Sequence, residues 1–402
     1  MSFQAKRYAF VVPRFGEAIA GGMETLVGTL ARRLQDKGHT VVVLSTCAKD
    51  NRTWANDYPI GPAKEYGVTV LRFPVHARDV DRWAYHQIRL NDGFTLSVED
   101  QLEWMQHSVG SEELYRYIVE QEADFDVFFF APYLFGTTFW GSQLVPHKAV
   151  LIPCLHDEQN AYLEVTASMF RNVRGAVFNA SAEAELAQRL YGHVPGGAVG
   201  MGFEPPSSSE IRELGLYRDN IEPYLLYVGR KETGKNAQLL VDYFCALKEK
   251  APDLANLKLC FVGAGSFSDL HRPRALERSD IIDIPHVSEK EKQQLLRHAL
   301  ALVQPSTNES FSIVLMEAWM LETPVLVHAA CPVTKSHVCE AHGGLFFGSS
   351  SDFTAVVREL FHHADLRTDL GKAGRDYVLT KYNWPAVLDR FESVVQQILG
   401  EV

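Results

Sequence analysis

Six cysteines in 402 residues, none in a C-x-x-C pair, leave no disulfide framework and read as reduced thiols. No uninterrupted apolar run approaches the ~18–20 residues that span a bilayer. The residues after Met1 lack the small-residue cleavage pattern of a secretory signal, so the expectation is a cytoplasmic protein with at most peripheral membrane contact. There is no basic arm either. Lys and Arg number 39 against 50 Asp and Glu, a net charge of −11 spread evenly over the two halves, which argues against any partner held by broad phosphate neutralisation, nucleic acid above all. The phosphate-loop pattern G-x-x-x-x-G-K-[ST], short-period repeats and low-complexity tracts are also missing.

What is present is alternation. Short β-branched or aromatic runs exchange with amphipathic stretches from end to end, the pattern of parallel sheets covered by helices. Strands are expected at Tyr8–Val12, Thr40–Leu44, Val68–Phe73, Val127–Phe130, Ala149–Ile152 and Ala176–Phe178, with a first helix carrying Leu26, Leu30 and Leu34 and stopping at Gly38. The breaker-rich run 201–223 reads as a linker. Beyond it the alternation restarts at Tyr224–Val228, Lys258–Val262, Ile281–Ile284, Ala301–Gln304 and Pro324–Val327, with helices from Ala237, Glu289 and Ser312. A length above one ordinary domain thus divides into residues 1–200, a linker at 201–223, residues 224–380 and a last helix at 381–402. The stretch 76–122 breaks the rhythm and reads as an insertion with helices of its own; Trp83, Tyr85, Trp104, Tyr115 and Tyr117 there shape a binding site or fill a local core.

Chemistry concentrates in a few loops. In Pro305–Ala318 a strand ends, polar residues turn the chain and an apolar helix begins near Ser312, leaving backbone N–H groups to meet an anion or a sugar hydroxyl. Glu309 stands at the mouth of this turn, and Glu317 lies roughly 12 Å further along at most. So spaced, the two carboxylates suit the ends of an elongated ligand, or else a helix cap and a surface ion pair. In Val228–Asn236, Arg230 offers a rigid fork and Lys235 a point charge to a diphosphate; the bland reading is a solvated turn. Gly21-Gly22 admits close backbone approach at the first helix, and Gly263-Ala264-Gly265 follows a strand in the same way or marks a plain turn. His156 follows Ala149–Pro153 at the carboxyl end of a strand, where it would meet a sugar oxygen or serve as a structural histidine. His328, Cys331, His337, Cys339 and His342 crowd together, yet their spacing fits no zinc pattern, and no metal is expected.

Taken in order, Gly21-Gly22-Met23-Glu24, His156-Asp157, Gly229-Arg230 with Lys235-Asn236, Gly263-Ala264-Gly265 and the E-x7-E pair Glu309 and Glu317 resemble the retaining glycosyltransferases of family 4, over essentially the whole chain. The resemblance implies the GT-B fold: two Rossmann-like α/β domains facing a central cleft, the first binding acceptor and the second the nucleotide sugar, with the last helix crossing back to the first domain. It further implies that Arg230 and Lys235 bind the donor diphosphate, Glu309 the donor sugar and Glu317 the ribose. The amides of Ser310, Phe311, Ser312 and Ile313, with Gly263, would hold sugar and distal phosphate; Gly21 and Gly22 would approach the phosphates, and His156 would lie by the reacting sugar. The implied activity moves a hexosyl unit from a nucleotide-diphosphate sugar, without metal or resident cofactor, to a saccharide, lipid-linked glycan or small-molecule hydroxyl. A nucleotide-sugar epimerase or glycan phosphorylase on the same fold, and a non-enzymatic sugar-nucleotide-binding protein, are the alternatives. Ser312 stands where the family usually has glycine.

Overall fold

The computed structural model describes residues 4–19, 21–206 and 222–401, so most of the expected linker lies outside the described residues. The chain divides into two compact units, Met1–Gly202 with Val387–Val402, and Phe203–Ala386. Among the described residues, no helix is long and apolar enough to cross a membrane.

The first unit holds an eight-stranded sheet: β1 (Arg7–Val12), β2 (Thr40–Thr46), β3 (Gly61–Glu65), β4 (Val68–Phe73), β5 (Val127–Phe130), β6 (Ala149–Leu151), β7 (Gly175–Phe178) and β8 (Gly196–Ala198), in the order β3-β4-β2-β1-β5-β6-β7-β8. All pairs are parallel except β3–β4. Central strands such as Val-Phe-Phe-Phe in β5 are buried on both faces, as helices on each side of a parallel sheet require. The edge strand β3 contains Pro62, which only an unpaired edge tolerates. It returns to β4 through Tyr66-Gly67, both at positive φ (52° and 75°), the geometry of a two-residue hairpin turn. Helices α1 (Gly22–Asp36), α2 (Val80–Asn91), α3 (Val98–Gln106), α4 (Glu112–Glu120), α5 (Gly136–Leu144), α6 (Glu164–Asn172) and α7 (Ser181–Tyr191) complete this unit up to Gly202.

The stretch 76–122 forms α2, α3 and α4, and Asp79, Ser97 and Ser111 cap their N-termini. Trp104, Leu90, Leu96, Leu114 and Ile118 join one core with β5 and α5, so Trp104 fills the interior while Tyr85 stays exposed.

The second unit holds six parallel strands, β9 (Tyr224–Val228), β10 (Lys258–Val262), β11 (Ile281–Ile284), β12 (Ala301–Gln304), β13 (Val325–His328) and β14 (Gly344–Phe347), in the order β11-β10-β9-β12-β13-β14. Around them pack α8 (Ala237–Lys250), α9 (Glu289–His298), α10 (Ile313–Met320), α11 (Pro332–Ala341), α12 (Ser350–His362) and α13 (Ala364–Lys381).

The last helix, α14 (Trp384–Leu399), starts in the second unit and belongs to the first from Val387 onward. Its apolar stripe carries Phe391, fully buried with its ring 5.2 Å from Phe129 and 6.3 Å from Tyr8, while Glu392 reaches Lys37 at 2.8 Å and His39 at 3.1 Å. Phe391→Ala is expected to cost the first unit about 3–5 kcal/mol in urea unfolding, the usual cost of an emptied aromatic site. A change below 1 kcal/mol would show that the helix contributes little there.

Candidate functional site

In the second unit the chain leaves β9 toward β10 on one side and β12 toward β13 on the other, so the sheet has its switch point between β9 and β12. Open parallel sheets bind ligands at the carboxyl ends of strands beside such a point. The loops that follow these two strands carry Lys235 and Glu309. Lys235 closes a short 3-10 turn, Thr233–Lys235, and its Nζ donates to Glu309 Oε1 at 2.8 Å. The turn is held in place by Asn236, whose side-chain amide donates to the Pro305 carbonyl at 3.1 Å.

Glu309 follows β12 in this turn and is largely enclosed. Its side chain is only 9% exposed, and the same Oε1 takes a second bond, 2.7 Å from Gln304 Nε2. Gln304 is buried at the end of β12. A carboxylate oxygen held by an ammonium and an amide is fixed in direction as well as charge. A polar residue ending the apolar strand Ala-Leu-Val-Gln was the signal for Gln304 that sequence reasoning passed over.

No side chain caps α10. Its N-cap, Ser312, sits at φ 69° and ψ 78° with its hydroxyl buried and, among the described residues, without a hydrogen-bond partner. That left-handed conformation is the one glycine takes freely, and a serine there is strained. Phe311 turns its ring inward against Tyr382 (5.2 Å), His337 (5.4 Å) and Phe203 (6.2 Å), so its backbone alone can serve a ligand. Ser310 and Ile313 are half-buried beside it.

Arg230 extends from the β9 loop with 61% of its side chain exposed and Glu232 at 3.1 Å. Its neighbour Lys231, unremarked in the sequence, is fully buried, with Nζ 2.9 Å from Asp283 Oδ1 and bonded to the Gly263 carbonyl. Gly263 has φ 128°, and a Cβ there would run into the Gly229 carbonyl oxygen. Gly263 therefore serves the close approach of two loops, and the Gly229–Lys231 loop is stitched to Gly263–Gly265.

Glu317 lies on α10 and meets Lys292 of α9 at 3.0 Å. Burial pushes its carboxyl above the usual range while Lys292 pulls the other way. The pair borders a cavity of about 330 Å³ whose lining includes Glu317, Glu289, Gln293, Met320 and Phe203, and Glu309 does not line it.

In the first unit, Gly21 is the N-cap of α1, but the turn is no open cradle. A Cβ on Gly21 would collide with the Glu24 carboxylate, which is buried and paired with Arg14 Nε at 2.7 Å. The helix start at Gly22 thus already has a carboxylate in its first turn. His156 follows β6 with 28% of its side chain exposed and Nδ1 3.9 Å from Glu158 Oε1, which accepts from Tyr133 Oη at 2.7 Å. Asp157 is held below the ordinary carboxylate range by the Tyr162 hydroxyl and by Arg189. Glu183, also missed, is buried on α7 and accepts from the Leu155 and Asn179 amides at 2.6 and 2.5 Å.

Of the crowded histidines and cysteines, all but His328 lie on α11 or at its two ends. His328 ends β13, Cys331 precedes α11, and His337 on α11 is buried against Tyr377, its pKa driven down to about 4 by burial. Among the described residues, one group of possible metal ligands converges, His86, Asp100 and Glu103, and arginines already meet both carboxylates.

Two parallel-sheet α/β units of this kind define the GT-B fold. The sucrose-phosphate synthase of Thermosynechococcus elongatus superposes with a TM-score of 0.72 at 16% identity, over 99% of this chain and 100% of that one. An Anabaena protein solved with UDP and glucose gives 0.69 at 14% identity, over 99% and 100%. Residues 216–377 match the family model described as Glycosyl transferases group 1. The D-inositol 3-phosphate glycosyltransferase of Streptomyces avermitilis is 34% identical over 173 residues, which are 40% of this chain and 36% of that relative. The chain spans 36–43% of the length of the first curated relatives that it matches.

Proposed function

We propose that this protein is a retaining glycosyltransferase that moves a hexosyl unit from a nucleotide-diphosphate sugar to a hydroxyl of a saccharide, lipid-linked or small-molecule acceptor. The observation that carries the reading is the Lys235–Glu309 pair, brought together across 74 residues at the switch point of the second sheet. The match of residues 216–377 to a glycosyltransferase family supports it.

Departure of a nucleoside diphosphate develops negative charge on the leaving phosphate and positive charge on the sugar. Lys235 and Arg230 neutralise the first, a task that elsewhere falls to a divalent cation, and Glu309 holds the sugar. Glu317 takes the ribose hydroxyls, and the amides from Ser310 to Ile313 take the distal phosphate. In the first unit His156 donates to a sugar oxygen. With attack on the face from which the diphosphate leaves, a phosphate oxygen accepts the acceptor's proton and the anomeric configuration is retained.

A screen of nucleotide sugars by thermal shift identifies the donor, since a ligand at 100 times its Kd stabilises the native state by about 2.7 kcal/mol. With that donor, Glu309→Ala and Arg230→Ala are expected to lower transfer by about a hundredfold or more. Transfer is expected to survive EDTA, and the product NMR to show the donor's anomeric configuration. Wild-type rates in both variants would sink the site, and an inverted product would sink the mechanism.

A further inference from the structure

We infer that the acceptor carries a phosphate or a similar oxyanion, and that Arg78, beside His76, is the side chain that receives it. This rests on the glycosyltransferase reading, because it supposes that the first unit binds the acceptor.

β4 runs parallel to β1, β2, β5 and β6, so its carboxyl end opens on the same edge of the sheet as the loop of His156. His76 and Arg78 follow that end within five residues. β4 and β6 stand four positions apart in the sheet, roughly 19 Å at the usual strand spacing. An oxyanion at Arg78 would therefore be the remote end of an acceptor whose hydroxyl reacts near His156.

Arg78 differs from the arginines around it. Arg72 meets Glu65 at 2.6 Å, Arg89 meets Asp100 at 3.1 Å, and Arg82 is bonded to Glu103. Arg78 is half-buried, yet no carboxylate lies within 4 Å of it among the described residues. Its Nη1 donates to the His107 carbonyl at 3.3 Å, and its guanidinium stands 5.9 Å from the Trp83 ring. One carbonyl satisfies one of five N–H donors and none of the charge. Desolvating a cation without a direct counter-charge is expensive. Desolvation lowers the pKa of Arg78, and His76 is shifted the same way by its burial, with Arg78 adding to it and Glu112 and Glu113 opposing. Asp79, the next residue, is committed to the α2 N-terminus through the Arg82 amide. The wall behind His76 is tight: a Cβ at Gly110 would stand 2.5 Å from Tyr115 Oη and 2.8 Å from His76 Cε1. A half-buried fork with no carboxylate on it, close enough to the His76 imidazole to act on its charge, selects an oxyanion over a neutral hydroxyl.

The test uses the full chain and three probes: inorganic phosphate, glucose 6-phosphate against glucose, and vesicles of phosphatidylcholine with or without phosphatidylglycerol. The soluble arm reads a free sugar phosphate and the vesicle arm a lipid-borne one. The wild type is expected to bind the phosphorylated member of one of these pairs and not its neutral counterpart. Arg78→Gln should weaken that binding about tenfold or more, and Arg78→Lys less, since it keeps the charge and loses the fork. Affinity for the nucleoside diphosphate, titrated on the same samples, should be unchanged. Equal binding of charged and neutral probes, or an Arg78→Gln protein that matches the wild type in both arms, would overturn the inference. If the nucleotide binds while Arg78 is indifferent to phosphate, this inference fails alone; if no nucleotide binds the wild type, it is the glycosyltransferase reading that falls.

Discussion

Replacing Lys235 with alanine is expected to lower glycosyl transfer by about a hundred- to a thousandfold, the usual consequence of removing one pre-positioned group from a developing negative charge. Two separate losses are involved. The departing diphosphate loses a cation, and Glu309, whose side chain is 9% exposed, loses its ammonium partner and keeps Gln304 on that oxygen. Removing an ammonium from a nearly buried carboxylate costs up to about 3–5 kcal/mol, and the partial exposure of Lys235 reduces this to roughly 1–2 kcal/mol. The double variant Lys235→Ala, Glu309→Gln separates the two. Its stability in urea is expected to recover toward the wild type, because the nearly buried carboxylate charge has gone with the ammonium, while transfer stays low. Transfer by Lys235→Ala within tenfold of the wild type would show that the lysine serves the fold and not the leaving group.

The meeting of Lys235 and Glu309 was half legible in the sequence. Each residue could be placed in a loop after an apolar strand, because Tyr224–Val228 and Ala301–Gln304 are continuous apolar runs bounded by turns. Their pairing depends on β12 lying beside β9, and strand order is a property of the packed sheet that no local pattern encodes. Three strands were missed, β3, β8 and β14; of these, β3 and β8 are Gly-Pro-Ala-Lys-Glu and Gly-Gly-Ala, which lack the β-branched and aromatic side chains that announce a strand. They exist because a neighbouring strand offers free hydrogen-bonding groups. Lys231 misleads for a related reason. Beside Arg230 it reads as part of a solvated basic turn, and only the partner Asp283 on β11, 52 residues on, takes it inside. At Gly21-Gly22 the glycines suggested close backbone approach by an anion, and it is the chain's own Glu24 carboxylate that lies against Gly21.

Glu183 was invisible for the same reason as Lys231, and it carries the strongest expected pH dependence. Ala180 cannot cap α7, and the Glu183 carboxylate instead accepts the amides of Asn179 and Leu155, tying the end of β7 to the loop that presents His156. Burial pushes its pKa up to about 8, with the Asn179, Leu155 and Ala180 amides opposing. Unfolded, the group titrates near 4.5. Between these values the folded chain keeps a proton that the unfolded chain has released. Stability from this group is therefore full below about pH 4.5, falls as pH rises, and levels off above about 8, a loss on the order of 5 kcal/mol. Glu183→Gln keeps the shape and one acceptor but cannot ionise, so urea unfolding at pH 5 and pH 8 should show a smaller difference for it than for the wild type. Glu183→Leu leaves two buried amides unpaired, at about 1–3 kcal/mol each, and frees the Leu155–His156 segment. Transfer by that variant should drop about tenfold while nucleotide affinity holds, since the contacts proposed for Lys235 and Glu309 lie in the second unit. Equal pH dependence in the wild type and the glutamine variant would mean that the amides hold Glu183 ionised at neutral pH, making it a charged clamp on the His156 loop instead of a protonated one.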